Sequence, residues 1–125
     1  MADAYAIYHD AVRSEDYAPA IAALGALADR GGDAVRALSL RSHLRLLAGD
    51  AAGALGDLDR AVGLAPGSGA LRYSRAEVHR AGGAHRPALA DLCEAVLLAH
   101  AAGDDGLIDA AEHAFAAILE GLRSG

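Results

Sequence analysis

Residues 54–65 read ALGDLDRAVGLA, and residues 88–99 read ALADLCEAVLLA. The two stretches share eight of their twelve residues, and their starts at Ala54 and Ala88 define a 34-residue period. In a chain this rich in Ala and Leu, chance predicts about one or two matches. The same period extends towards the N terminus, where Leu24 stands opposite Leu58. A period of this length with helical patterning predicts stacked helix pairs.

Apolar residues recur at helical spacing along the whole chain, and no alternating strand pattern competes with them. Helix stops are expected at Gly31-Gly32, Gly49, Gly82-Gly83 and Gly103. N-caps are expected at Asp16, Asp33, Asp50, Ser68 and Asp104. Seven helices are therefore predicted, at about 3–14, 17–30, 34–48, 51–64, 69–82, 86–102 and 105–122.

The period divides the chain into three helical hairpins, at about residues 1–34, 35–68 and 69–102, followed by a segment at 104–122. A stack of hairpins leaves its last apolar face open, so the final segment is predicted to be a capping helix. The chain is predicted to form a single all-α domain of 125 residues. The apolar face of the cap is expected to comprise Leu107, Ile108, Ala111, Phe115, Ile118 and Leu122.

The charge balance restricts the classes of partner. The formal net charge is -6, which argues against a nucleic-acid-binding protein or an anionic-membrane protein, because both need a cationic face. All eleven basic residues are Arg, and Lys and Asn are absent, which indicates codon bias in a high-GC bacterial genome. Fixed cations are therefore guanidiniums, which favour bidentate carboxylate or phosphate partners.

The single cysteine and the apolar runs indicate the compartment. Cys93 has no partner for an intrachain disulfide, so a reducing cytoplasm is the expected location. The acidic start MADAYAIYHD lacks the basic residues of a secretory signal. No apolar run reaches the roughly eighteen residues that a membrane span requires.

Repeats of this length and residue order resemble tetratricopeptide repeats. The second repeat has small or apolar residues at the packing positions Ser42, Gly49, Ala54, Leu58, Ala61 and Pro66. The third repeat has Ala76, Gly83, Ala88, Leu92 and Ala95 at the same positions. Small residues there allow paired helices to pack closely. The first repeat departs from the pattern, with Glu15 at the turn where the later repeats have Gly49 and Gly83.

The resemblance implies a right-handed α-solenoid whose first helices line a concave groove that binds extended peptides or partner helices. The groove residues carried over from the resemblance are Tyr5, His9, Arg13, Arg36, His43, Leu46, Leu47, Tyr73, Glu77 and Arg80, with Val12, Ser39 and Ala81 beside them. This wall has three arginines and one acid, Glu77, in a protein that is acidic overall. The expected function is therefore a non-enzymatic adaptor that binds a protein segment of acidic character.

The carboxylate clamp of chaperone-binding family members is not expected. It needs Lys, Asn and Arg, where this chain has Tyr5, His9, Leu40, Ala70 and Ser74. A self-associating homodimer is the first alternative function. The second is a small-molecule-binding protein or enzyme that uses His9, His43 and Tyr73 in the groove.

The remaining polar residues favour structural roles. His9 and His43 lie one repeat apart, as do His79 and His113, but a tetrahedral metal site needs further ligands, so no metal and no cofactor are expected. Cys93 has no neighbouring base in the sequence that would indicate a catalytic thiol. The acidic residues on the second helix of each of the last two hairpins are expected to be solvated on the outer surface: Asp57, Asp59, Asp91 and Glu94.

Overall fold

The computed structural model describes residues 4–30 and 33–124. In these residues the chain forms seven α-helices: α1 Ala4–Ser14, α2 Ala18–Asp29, α3 Ala34–Leu47, α4 Ala51–Leu64, α5 Gly69–Ala81, α6 His85–Ala102 and α7 Asp105–Ser124. Each described helix end lies within about two residues of its predicted position. The predicted stop at Gly31-Gly32 and the predicted start at residue 3 lie outside the described residues.

The helices form two compact units, Met1–Ala65 and Pro66–Gly125. In the first unit, α1 packs on α2 and α3, α2 packs on α3, and α3 packs on α4. A cluster of buried residues that includes Ala11, Leu24 and Leu44 joins the first three helices. The assignment of the whole chain to a single domain remains a prediction.

The second unit contains α5, α6 and α7, each packed on the other two. Its buried cluster includes Leu92 from α6 and Ala111 and Ile118 from α7. The predicted inner face of α7 is therefore largely confirmed, although Leu122 is 49% exposed. The prediction for Leu122 was wrong because the buried stripe of α7 ends at Ile118, one turn earlier. None of the helices in residues 4–30 and 33–124 combines the length and apolar character needed to cross a membrane.

Side-chain caps begin α4, α5 and α7. Gly53 N–H donates to Asp50 over 2.8 Å, Leu71 N–H donates to Ser68 over 3.2 Å, and Leu107 N–H donates to Asp104 over 3.1 Å. These bonds satisfy backbone donors that the first turn of a helix leaves free.

The other predicted caps differ from this pattern. The prediction of Asp16 as the cap of α2 was wrong, because Tyr17 occupies that position and the Asp16 N–H instead donates to Ser14 Oγ in the preceding turn. Asp33 occupies the N-cap of α3 but makes no side-chain cap bond. The first hairpin therefore begins its second helix without a side-chain cap, with Pro19 in the first turn as its start signal.

Candidate binding surface on the first helices

Arg36 and Tyr5 join α3 to α1 in the first unit. The guanidinium carbon of Arg36 lies 3.4 Å from the centroid of the Tyr5 ring. Its Nε atom is buried and has no hydrogen-bond partner, while its Nη1 atom lies 3.7 Å from the Asp33 carboxylate. Stacking on a tyrosine face attracts the cation and restricts its rotamers. Arg36 is thus held in place before any ligand arrives.

A second contact between the same helices links Tyr8 to His43. The Tyr8 hydroxyl is hydrogen-bonded to His43 Nδ1, and the two rings are 5.5 Å apart. Burial raises the pKa of Tyr8, so its hydroxyl stays protonated and able to donate at neutral pH.

His9 completes this cluster of rings. Its imidazole is stacked with Tyr5 at a centroid distance of 6.2 Å and lies edge-on to Tyr8 at 5.2 Å. We call Tyr5, Tyr8, His9, Arg36 and His43 the α1–α3 patch. Tyr5, His9 and His43 are exposed, so the patch presents rings and N–H donors at the surface. Four of its five residues were predicted as groove residues, and Tyr8 was not.

The other predicted residues of the first unit lie outside these ring contacts. Arg13 pairs with Asp10 over 2.7 Å, and both side chains are about three-quarters exposed, at 77% and 75%. Leu47 is 46% exposed at the end of α3, and Leu46 beside it is half-buried. Leu47 is therefore accessible for apolar contact.

Of the predicted residues of the second unit, Tyr73 packs partly into the core, and Glu77 and Arg80 lie near each other. Tyr73 is half-buried against the core cluster of α6 and α7. Burial is the main cause that raises the pKa of Tyr73, the charge of Glu77 raises it further, and Arg80 lowers it. Arg80 Nη1 lies 4.0 Å from Glu77 Oε1.

Each predicted groove arginine has an acidic residue three positions earlier. The pairs are Asp10 with Arg13, Asp33 with Arg36, and Glu77 with Arg80. Of these three acids, only Glu77 was predicted to lie on the wall. Because all three pairs are exposed and two have long N–O distances, they offset the arginine charges only weakly. The local excess of positive charge is nevertheless smaller than expected.

The largest departure from the sequence analysis is the burial of Asp57 and Asp91. Asp57 on α4 is 4% exposed and accepts from Arg41 Nε at 3.0 Å and Arg41 Nη2 at 2.6 Å. A third hydrogen bond, from Arg45 Nη1, is 3.0 Å long. The prediction that Asp57 is solvated was wrong, because two arginines of α3 compensate its buried charge.

Asp91 repeats this arrangement in the second unit, and the prediction that it is solvated was wrong for the same reason. It is 5% exposed and accepts from Arg75 Nε at 2.8 Å and Arg75 Nη2 at 2.7 Å. His79 Nε2 lies 3.8 Å away, in the place that Arg45 has beside Asp57. We call the pairs Arg41–Asp57 and Arg75–Asp91 the Arg–Asp clamps. Each clamp joins the two helices of one hairpin.

Two further predictions concern metal and thiol chemistry. Cys93 is exposed. Within residues 4–30 and 33–124, no group of three or more His, Cys, Asp or Glu side chains is arranged to hold a metal ion.

Two solved structures have a fold similar to that of this chain. The structure is similar to the crystal structure of PcrH from Pseudomonas aeruginosa, with a TM-score of 0.82 and 19% sequence identity, covering 93% of this chain and 89% of that chain. It is also similar to PcrH in complex with the chaperone binding region of PopD, with a TM-score of 0.80 and 19% identity, covering 94% of this chain and 89% of that one. No protein-family model and no curated protein matches the chain.

A sequence identity this low supports conclusions about the fold alone. PcrH has a tetratricopeptide-like fold, so the likeness confirms the all-α arrangement of helical hairpins that the repeat period predicted. The resemblance drawn from the sequence is therefore confirmed at the level of architecture. A shared fold does not by itself transfer an activity.

Proposed function

We propose that this protein is a non-enzymatic adaptor that binds a segment of a partner protein through the first helices of its hairpins. The observation that carries the proposal is the α1–α3 patch, in which Arg36 is stacked on Tyr5 and His43 is held by Tyr8. Ordered rings and donors at a surface lower the entropy lost on binding. The likeness to PcrH, which has been captured with a region of PopD, supports binding of a protein segment on this fold.

The chemistry of the patch favours a segment with a carboxylate beside an apolar or aromatic side chain. Arg36 donates through a planar fork, and its acidic neighbour Asp33 is 3.7 Å away and mostly exposed. A carboxylate of the partner can form a shorter, bidentate pair with that fork. Leu47, exposed on the same helix, provides apolar area near the end of α3.

The test is affinity capture with wild-type protein and an Arg36→Glu variant, followed by identification and quantification of co-purifying proteins. The variant reverses the charge at position 36, where the guanidinium is stacked on Tyr5, so we expect loss of the main captured partner. Arg86→Glu, which changes an exposed residue of α6 by the same charge, is the matched control and should retain the partner. Equal capture by Arg36→Glu and wild type would remove the α1–α3 patch from the proposal.

Self-association is a second candidate, favoured by exposed leucines in the second unit. Leu97 is 64% exposed on α6, and Leu119 and Leu122 are 45% and 49% exposed on α7. Because Leu119 and Leu122 are three residues apart, they lie on one side of the helix. Light scattering after size exclusion separates the two candidates, since a strict monomer at high concentration excludes the dimer.

A further inference from the structure

The first hairpin differs from the next two at the positions of the Arg–Asp clamps. Ile7 and Ala23 stand one repeat period before Arg41 and Asp57. Ala11, likewise, stands one period before Arg45. Small or apolar side chains thus replace two guanidiniums and a carboxylate. The first hairpin therefore lacks the side chains that form the ion pair of the second hairpin.

A pocket of about 390 Å³ opens at this place on α1 and α2. Its apolar lining includes Ile7, Ala11 and Ala23, which stand at the positions of Arg41, Arg45 and Asp57 in the second hairpin. Asp10 and Asp16 add carboxylates to the lining. Asp10 pairs with the exposed Arg13, whereas Asp16 donates its backbone N–H to Ser14 Oγ. The pocket thus combines an apolar floor with negative charge.

In the second hairpin, the face that is equivalent to the pocket is covered by α2. A Cβ atom built on Gly25 of α2 would lie 2.5 Å from Arg41 Nη1, so the Arg41 guanidinium lies directly against α2. The face of the second hairpin that carries the clamp is therefore packed against a helix. The matching face of the first hairpin presents the pocket instead of an ion pair, and α1 packs less extensively on α2 than α3 packs on α4.

We propose that this pocket is a second docking site, separate from the α1–α3 patch, for an amphipathic helix of a partner protein. The helix inserts one apolar side chain between Ile7 and Ala23 and carries Arg or Lys one turn away, opposite Asp16. Burial of the apolar side chain provides the attraction, and the carboxylates select a basic neighbour. A second copy of this chain is a poor occupant, because its net charge is -6.

The site is tested with a display library of α-helical peptides on an Ala-rich scaffold. Peptides that bind the wild-type chain are selected, and those that also bind an Ile7→Arg, Ala23→Asp variant are removed. This variant introduces the Arg–Asp pair of the later repeats and so fills the pocket. The surviving peptides are expected to share an apolar residue with Arg or Lys three or four positions away. The absence of any survivor, or survivors rich in acidic residues, would overturn the proposal.

Further variants separate binding from misfolding. Circular dichroism and thermal unfolding establish that the clamp variant folds, and Ala23→Met fills the pocket with a single change at a half-buried position. Peptides that bind Ala23→Met as tightly as wild type would also contradict the site. Asp16→Lys is expected to weaken binding by roughly fivefold, while Asp29→Lys, at the exposed end of α2, should leave it unchanged.

Self-association is the remaining outcome that the experiment distinguishes. Light scattering over a concentration series measures the size of wild type and of the Ile7→Arg, Ala23→Asp variant. A dimer that is present in wild type and lost in the variant would assign the pocket to a second copy of this chain. That result would overturn the assignment to a basic helix of another protein.

Discussion

The turn between α1 and α2 contains a residue in an unfavourable backbone conformation. Glu15 has a φ of 59°, and it is the one non-glycine residue with positive φ in the described part of the chain. Gly49 and Gly83 occupy the matching turns with φ of 86° and 75°. A side chain with a Cβ atom is disfavoured in this region by about 1 kcal/mol.

We therefore expect Glu15→Gly to raise the free energy of unfolding by about 1 kcal/mol. Denaturant unfolding of the full chain measures the change. Glu15→Ala keeps the Cβ atom and is the control, so it should stabilise much less. Equal effects of Gly and Ala would show that the side chain, and not the backbone conformation, causes the difference.

Two glycines inside helices have different surroundings and so different expected effects. A Cβ atom on Gly25 would meet Arg41, whereas one on Gly56 has nothing within 4 Å. Gly56→Ala should stabilise the protein by about 1 kcal/mol, because Ala favours a helix over Gly. Gly25→Ala should destabilise it, because the methyl group displaces Arg41 from Asp57. Urea midpoints of the two variants measure both effects, and a gain in both would contradict the close approach at Gly25.

At the scale of the helix pair, the Arg–Asp clamp holds α3 and α4 together. Asp57 is 4% exposed, and the Arg41 side chain is 19% exposed. Removing one partner of a buried pair leaves the other charge uncompensated and costs about 3 kcal/mol or more. We expect Asp57→Asn to lower the free energy of unfolding by about that amount, as measured by chemical denaturation.

A matched change at the surface provides the control for the clamp. Asp29 is 78% exposed and lies 3.7 Å from Arg60. Asp29→Asn should change the free energy of unfolding by less than about 0.5 kcal/mol, because exposed pairs are weak. Similar values for the two variants would show that the clamp contributes no more than a surface ion pair.

The helices could be predicted from the sequence because their signals are local. Caps such as Asp50, stops such as Gly103 and apolar spacing each act within a few residues. The burial of Asp57 could not be predicted from the same signals, since its partner Arg41 lies far away in sequence, on another helix. One signal was present but not used: both members of each clamp recur at the repeat period, and both are absent from the first repeat.

The candidate site could be predicted less completely than the fold. The repeat register predicted Tyr5, His9 and Arg36 as groove residues, and the structure brings these three residues together on α1 and α3. It did not identify Tyr8, because a hydrogen bond between side chains of two helices depends on their rotation about their axes. Whether these residues bind a partner remains a prediction that the capture experiment tests.

Across the whole molecule, each unit has a half-buried tyrosine with a raised pKa. Burial is the main cause that raises the pKa of both Tyr8 and Tyr73 above the ordinary value of about 10. In the unfolded chain these hydroxyls ionise near that ordinary value. As the pH rises above about 10, the unfolded state therefore releases protons that the folded state retains. Both tyrosines thus make unfolding more favourable in alkali.

We expect the free energy of unfolding to be insensitive to these two groups below about pH 10 and to fall as the pH rises above it. The double variant Tyr8→Phe, Tyr73→Phe keeps both rings but removes both hydroxyls, so its stability should fall less steeply in the alkaline range. Tyr8→Phe also breaks the bond to His43, which lowers stability at every pH. The slope against pH is therefore the diagnostic quantity, measured by denaturant unfolding alongside the absorbance of tyrosinate. Parallel curves for variant and wild type would contradict the raised pKa values.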